Sequence, residues 1–270
     1  EEVWLDLDAE TGTTPLDAVR EAVDDKTAAA LLQHPNFFGT IEDVRAIGEI
    51  AHEAGALLCV SADPIAISML QSPGELGADI VTGEGQSLGI PVWYGGPYVG
   101  FFATRDKYIR QMPGRICGRT VDTEGRTGYV LTLQAREQHI RREKATSNIC
   151  TNEALVATAV TMHLTAIGKN GLLQVANLCY QRSHYLIDQL SALDGFERLH
   201  SAPYFREAAL RTPRPASELN RYLWEEHGII GGYDTARVDP ACDWGWQLSA
   251  SEINSREEID QLVDAVRAFG

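Results

Sequence analysis

The sequence predicts an α/β chain: a mainly parallel sheet covered by helices on both faces, followed by a smaller α+β unit. Three observations predict it. Short apolar runs of strand type alternate with helix-periodic segments between residues 16 and 103, the rhythm of a buried parallel sheet. Two of the runs end in small or acidic residues, Val60-Ser61-Ala62-Asp63 and Ile80-Val81-Thr82-Gly83, at the carboxyl ends of strands where such sheets place ligands. Beyond residue 152 the pattern becomes long helices and then strand, helix, strand, helix. This sets a large domain over residues 1–170 and a small C-terminal α+β domain over 171–270.

The opening segment looks like the middle of an alternating fold rather than its start, so the large domain is expected to be incomplete at its N-terminus. Leu16 to Val23 has helical spacing, and Ala28 to Leu32 is an apolar run ended by His34-Pro35-Asn36. Thr40 followed by Asp43 is expected to cap a helix reaching about Ala54, stopped by Gly55. Strand Leu57 to Val60, a helix after Pro64, and strands Ile80 to Thr82 and Tyr98 to Ala103 follow. Residues 106–150 are too rich in glycine and charge for a core helix. Helices resume over 152–167 and 171–193 with strong apolar periodicity. Strand Glu207 to Thr212, helix Ala216 to His227, strand Trp246 to Ala250 and a last helix complete the chain, and Ser255 with Glu258 forms a capping box for that helix.

Composition narrows the function. The net charge of −15 comes from 38 acidic residues against 23 basic ones. A surface so negative repels nucleic acid, and no apolar run approaches the roughly 20 residues of a membrane span. A cytoplasmic location is expected. Cysteines 59, 117, 150, 179 and 242 are an odd set, too widely spaced for a CxxC site, and read as mostly buried thiols. The sequence contains no Ser-His-Asp order, phosphate-binding P-loop or HExxH, so hydrolase and nucleotidase chemistries lack support.

The segment Ile80 to Thr104, IVTGEGQSLGIPVWYGGPYVGFFAT, together with Val60 to Pro64, has the layout of a cofactor pocket. One strand ends in an aspartate, a second ends where a reactive residue belongs, and a glycine-rich loop leads into a third. A pyridoxal phosphate enzyme requires a lysine at the end of the second strand, because only an amine forms the Schiff base. Glu84, Gly85, Gln86, Ser87 and Leu88 stand there instead. Asp63 fits two roles, holding a cationic pyridinium nitrogen or capping the segment after Pro64. Gly95 and Gly96 fit a phosphate cradle of backbone amides or a tight turn. Arg136, His139, Arg141, Arg142 and Lys144 place five cationic or imidazole groups within nine residues of an acidic chain. They suit either an anion channel or a solvated turn of weak ion pairs. His34 reads as a packed turn histidine near the pocket mouth, and Arg206, Arg211 and Arg237 read as surface residues.

HPNFFGTIEDV at 34–44, GADIVTGEGQSLGIPVWYGGPYVGFFATRDKYIRQMPGRICGRTVD at 77–122 and TLQAREQHIRREKATSNICTNEAL at 132–155 resemble glycine dehydrogenase (decarboxylating), the P-protein family of the glycine cleavage system. Within the family the chain is most similar to the later part of subunit 1, the N-terminal-half subunit of the two-chain form. The resemblance implies the pyridoxal phosphate-dependent transferase-like fold, aspartate aminotransferase type I. It implies a catalytic partner, subunit 2, whose lysine holds the cofactor, and in this chain Gln86 and Ser87 fall at about the position of that lysine and the histidine before it. It further implies glycine as substrate, pyridoxal phosphate on the partner rather than covalently on this chain, and a lipoylated H-protein that accepts the aminomethyl group. Gly95 and Gly96 are then expected to reach the phosphate of the partner's cofactor, and Asp63 to be a relict of a pyridinium partner. The segment with Arg136, His139, Arg142, Lys144 and Asn148 is expected to shape the substrate channel. A purely structural subunit and a self-sufficient pyridoxal phosphate lyase or transferase are the competing readings, the latter lacking its lysine.

Acid excess with only four lysines, Lys26, Lys107, Lys144 and Lys169, is the composition of a protein that stays soluble in concentrated salt. The thermal unfolding midpoint is expected to rise between about 0.1 M and about 2 M KCl, where self-repulsion is screened; a midpoint highest at low salt contradicts this.

Overall fold

The computed structural model describes residues 1–145, 153–238, 242 and 244–269. Its first half is built from α1 (Leu16–Ala22), β1 (Ala29–His34), α2 (Val44–Glu53), β2 (Leu57–Ala62), β3 (Ile80–Glu84) and β4 (Gly100–Thr104). The four strands form one sheet in the order β1-β2-β3-β4, with β1, β2 and β3 parallel and β4 returning antiparallel. Alternation in β2 explains its place at the centre: Leu58, Val60 and Ala62 are buried and meet Val44, Ile47 and Ile50 of α2. The cap of α2 is Asp43, whose carboxylate accepts the Ala46 amide at 3.0 Å. Thr40, the expected cap, instead donates its hydroxyl to the Gly12 carbonyl at 2.6 Å.

No α-helix follows Pro64. A three-residue 3-10 turn, Ala66–Ser68, stands in its place, because Ser68 donates back to the Ile65 carbonyl at 2.7 Å and Pro73-Gly74 ends the segment soon after. The glycine-rich, charged stretch is a hairpin of β5 (Ile116–Val121) and β6 (Thr127–Thr132), closed where the Asp122 amide donates to the Arg126 carbonyl at 2.9 Å. A single turn, α3 (Gln138–Arg141), leads toward α4 (Ala154–Ser191). The two expected helices lie in this one element, and the interval between them is a non-helical residue, Gly168 at φ 62°, ψ −177°. Helix α4 runs through residue 170.

The last part holds β7 (Glu197–Arg198), β8 (Glu207–Arg211), α5 (Ala216–His227), β9 (Tyr233–Asp234), β10 (Gly245–Ser249) and α6 (Arg256–Phe269), with the strands antiparallel in the order β7-β8-β10-β9. Its core centres on Trp246, which is fully buried and donates its indole N–H to Asn220 Oδ1 at 2.9 Å. The predicted capping box is present: the Glu258 amide donates to Ser255 Oγ at 3.1 Å, and the Ser255 amide to Glu258 Oε2 at 2.8 Å. Among the described residues no helix is long and apolar enough to cross a membrane, and no cluster of acidic, histidine or cysteine side chains could hold a metal ion.

One buried carboxylate fastens the far end of the first sheet. Asp79, 3% exposed, accepts His52 Nε2 at 2.7 Å and the Leu58 amide at 3.1 Å, with Lys107 Nζ at 3.4 Å and Arg105 Nε at 3.6 Å. Burial alone would push this carboxyl up, but the hydrogen bonds from His52 and Leu58 with the surrounding cations outweigh it and hold it below the usual range. Its stabilising contribution is therefore complete above about pH 4, the unfolded value, and is lost as pH falls through the lower folded value. Asp79→Ala is expected to cost about 2–3 kcal/mol at pH 7 by urea unfolding, because it orphans the Leu58 amide. The same measurement near pH 3 should show a smaller difference.

Candidate functional site

A cleft of about 270 Å³ opens at the carboxyl ends of β1, β2 and β3, against the residues leading into β8. Asp63, directly after β2, uses both carboxylate oxygens. Oδ1 accepts the Ile65 amide at 2.8 Å, and Oδ2 meets Arg206 Nη2 at 2.7 Å. The two side chains are 22% and 20% exposed, so the pair is largely withdrawn from solvent. Arg206 is thus a lining residue of the cleft rather than the surface residue its sequence position suggests. Ser183 on α4 donates its hydroxyl to the Arg206 carbonyl and helps to anchor it, while Arg206 Nε is buried without a partner. Beside it, burial pushes the Glu207 carboxyl up, a shift that Arg206 partly offsets.

The third strand end is set by Glu84, whose Oε1 accepts the amides of Gln86 at 2.9 Å and Val99 at 3.1 Å. That carboxylate fixes the turn that brings Gln86 and Ser87 to the cleft wall. Gly83 has to be glycine there, since a Cβ would lie 2.4 Å from the Ala62 carbonyl oxygen and 2.3 Å from the Phe101 ring. Among the described residues no lysine lines this cleft: Lys107 sits with Asp79 at the opposite end of β3, and Lys144 lies in an exposed 3-10 turn, Arg142–Lys144.

The other predicted site residues lie outside the cleft lining. Tyr94, Gly95 and Gly96 take consecutive positive φ values of 47°, 133° and 99°, so the loop has a shape that favours glycine. It is solvent-facing, with Tyr94 fully exposed and Val92 and Trp93 beside it. Arg136 turns its guanidinium onto the 112–114 segment, donating to the Met112 carbonyl and, at 2.6 Å, to the Gly114 carbonyl. His139 Nδ1 lies 3.6 Å from the buried Glu137, which Arg115 approaches at 3.7 Å. Arg142 and Lys144 are exposed, and Asn148 lies outside the described residues.

His34, at the end of β1, is 2% exposed and belongs to a packed turn. Asn36 organises that turn, donating to the Gly12 carbonyl and to Glu42 Oε1, both at 2.7 Å, and accepting the amides of Phe38 and Thr40.

The sequence profile of the glycine cleavage system P-protein matches residues 6–266. The chain belongs to this family. Among P-protein relatives, probable glycine dehydrogenase (decarboxylating) subunit 1 of Desulforamulus reducens is 53% identical over 96% of this chain, and that of Thermomicrobium roseum 51% over 92%. The chain spans 58% and 55% of the lengths of these relatives. A crystal structure of glycine decarboxylase (P-protein) of the glycine cleavage system, in inhibitor-bound form, superimposes with a TM-score of 0.87 at 40% identity, over 97% of this chain and 58% of that one. A NifS-like protein superimposes at a TM-score of 0.67 with 18% identity, which shows the shared fold. The chain thus has the pyridoxal phosphate-dependent transferase-like fold, aspartate aminotransferase type I.

The P-protein cleft of this chain does not fit the cofactor that its fold family implies. Among the described residues the cleft lining offers no amine for a Schiff base, and its Asp63 carboxylate is already paired with a guanidinium. Among the described residues that line it, Asp63, Glu84 and Glu207 against the single cation Arg206 also make a poor host for a phosphate dianion.

Burial pushes His34, His184 and His200 below the ordinary histidine range. Each must stay neutral to remain packed, so their contribution is complete above about pH 6.5, the unfolded value, and declines as pH falls below it. Urea midpoints are expected to drop between about pH 7.5 and about pH 5.5, and to drop less in His34→Gln; a His34→Gln slope equal to that of the parent contradicts the assignment.

Proposed function

We propose that this chain is the non-catalytic part of a two-subunit glycine decarboxylase, completing an active site whose pyridoxal phosphate is held by subunit 2. The observation that carries this reading is the cleft itself: in a member of the P-protein family, no lysine lines it among the described residues and its Asp63 carboxylate is paired with Arg206, and we read Ser87 as standing in the place of the amine. The names of the similar proteins, each called subunit 1, support the existence of a second subunit. Bound in the partner, the cofactor supplies an electron sink for glycine decarboxylation, and the aminomethyl group passes to the lipoyl arm of H-protein. The setting proposed is the cytoplasm.

This chain's residues bind and orient. The backbone amides of Gly95 and Gly96, in the exposed loop with positive φ, donate to the partner's cofactor phosphate. Arg142 and Lys144 lend positive charge to the channel toward that site and His139 a hydrogen-bonding ring, drawing anionic groups into an acidic protein. Arg136 acts from one step behind, since its fork holds the 112–114 backbone in place.

Complexes reconstituted from the complete subunit and subunit 2 test the proposal. Gly96→Val places a Cβ 3.2 Å from the Tyr98 amide at a φ of 99° and should distort the loop. Loss of one or two charge-assisted hydrogen bonds predicts a rise of about tenfold or more in the partner's dissociation constant for pyridoxal phosphate. Unchanged affinity would put the loop elsewhere and favour a purely structural subunit. Borohydride reduction of the complex with pyridoxal phosphate should label a lysine of subunit 2 and none of this chain; label on Lys144 would sink the assignment.

A further inference from the structure

The cleft is more than a cofactor pocket that lost its lysine. Asp63 closes β2 in the first sheet, and Arg206 immediately precedes β8 in the second, so their 2.7 Å pair joins two parts of the chain far apart in sequence. The backbone around it is stitched in the same direction. The Ile41 amide donates to the Pro203 carbonyl at 2.9 Å and the Phe205 amide to the Gly39 carbonyl at 3.1 Å, Thr40 bridges Tyr204, and Gln247 donates to the Phe37 carbonyl. Under the pair, Ile65, Ala66, Leu88, Ala176, Cys179 and Phe205 form one apolar cluster. The Arg206 guanidinium is planar, delocalised and always charged, which makes it a close chemical substitute for a protonated ring nitrogen facing a carboxylate.

We propose that Arg206 is the built-in occupant of this cleft: its guanidinium stands in for the cofactor's cation against Asp63, closes the site to pyridoxal phosphate, and serves as a permanent electrostatic tie between the two sheets. This rests on reading the cleft as the family's cofactor cleft. It assigns the cleft of this chain to a side chain of its own, so that the fold is held without a ligand.

The complete subunit tests this by thermal unfolding. Arg206→Met leaves Asp63 largely buried without its cation, and the midpoint should fall by about 3–6 °C. Adding Asp63→Asn to that variant should recover at least half of the loss, because the two effects share one interaction. Arg206→Ala should regain part of its midpoint in about 20 mM methylguanidinium, while the parent should not respond to the same probe. Added pyridoxal phosphate should leave the parent midpoint unchanged. An Arg206→Met midpoint within about 1 °C of the parent, strictly additive effects of the two substitutions, no response of Arg206→Ala to methylguanidinium, or a parent stabilised by pyridoxal phosphate would each overturn the proposal. Should Arg206→Met fail to fold, the Asp63→Asn, Arg206→Met pair decides: it is expected to fold, and failure of both refutes the tie. These outcomes are independent of the Gly96→Val result, which reads the partner's site.

Discussion

The backbone around Gly39 lies so close to the start of β8 that a Cβ at this position would sit 2.0 Å from the Glu207 carbonyl oxygen, and Gly39 also adopts a φ of +80°. Only a glycine satisfies both conditions. From that close approach the rest of the cleft follows. It sets the 35–41 turn against residues 203–207, brings Arg206 over the end of β2, and leaves Asp63 facing a guanidinium. Asn36 supports the turn with both ends of its amide, and Thr40 gives its hydroxyl to the Gly12 carbonyl instead of capping α2.

The two ends of the first sheet use buried carboxylates in opposite ways. At the far end, Asp79 collects His52, Arg105, Lys107 and a backbone amide, an arrangement that holds it ionised and fastens β3 to β2. At the cleft end, Asp63 has one cation and one amide, so each oxygen already has a partner and its charge is matched by Arg206. Glu84 is likewise used on backbone amides, shaping the loop that holds Gln86 and Ser87. A strand-end carboxylate in this fold is therefore not a cofactor ligand by virtue of its position; what its oxygens already accept decides the matter.

The P-protein family assignment and the site geometry meet at one point: the chain has the fold, and among the described residues no lysine lines its cleft. The exposed surface of the chain is consistent with work done elsewhere. The loop with Val92, Trp93 and Tyr94 projects apolar side chains into solvent beside two glycines of positive φ, away from the cleft lining.

Sequence alone determined the elements whose signals are local. The α/β rhythm, helix α5, the Ser255–Glu258 capping box and the end of β2 just before Asp63 were legible because periodicity, caps and residue chemistry act over a few neighbours. Even the interval between the two expected helices of α4 was legible, since it is written in one glycine. The β5–β6 hairpin was not, because its glycines and arginines carry no clean alternation. Arg206 was hidden for a different reason. Asp63 and Arg206 are distant along the chain, and neither residue type announces its partner; only the docking of residues 203–207 against the 35–41 turn makes them neighbours and, by withdrawing most of both side chains from water, turns an ordinary arginine into the occupant of the cleft.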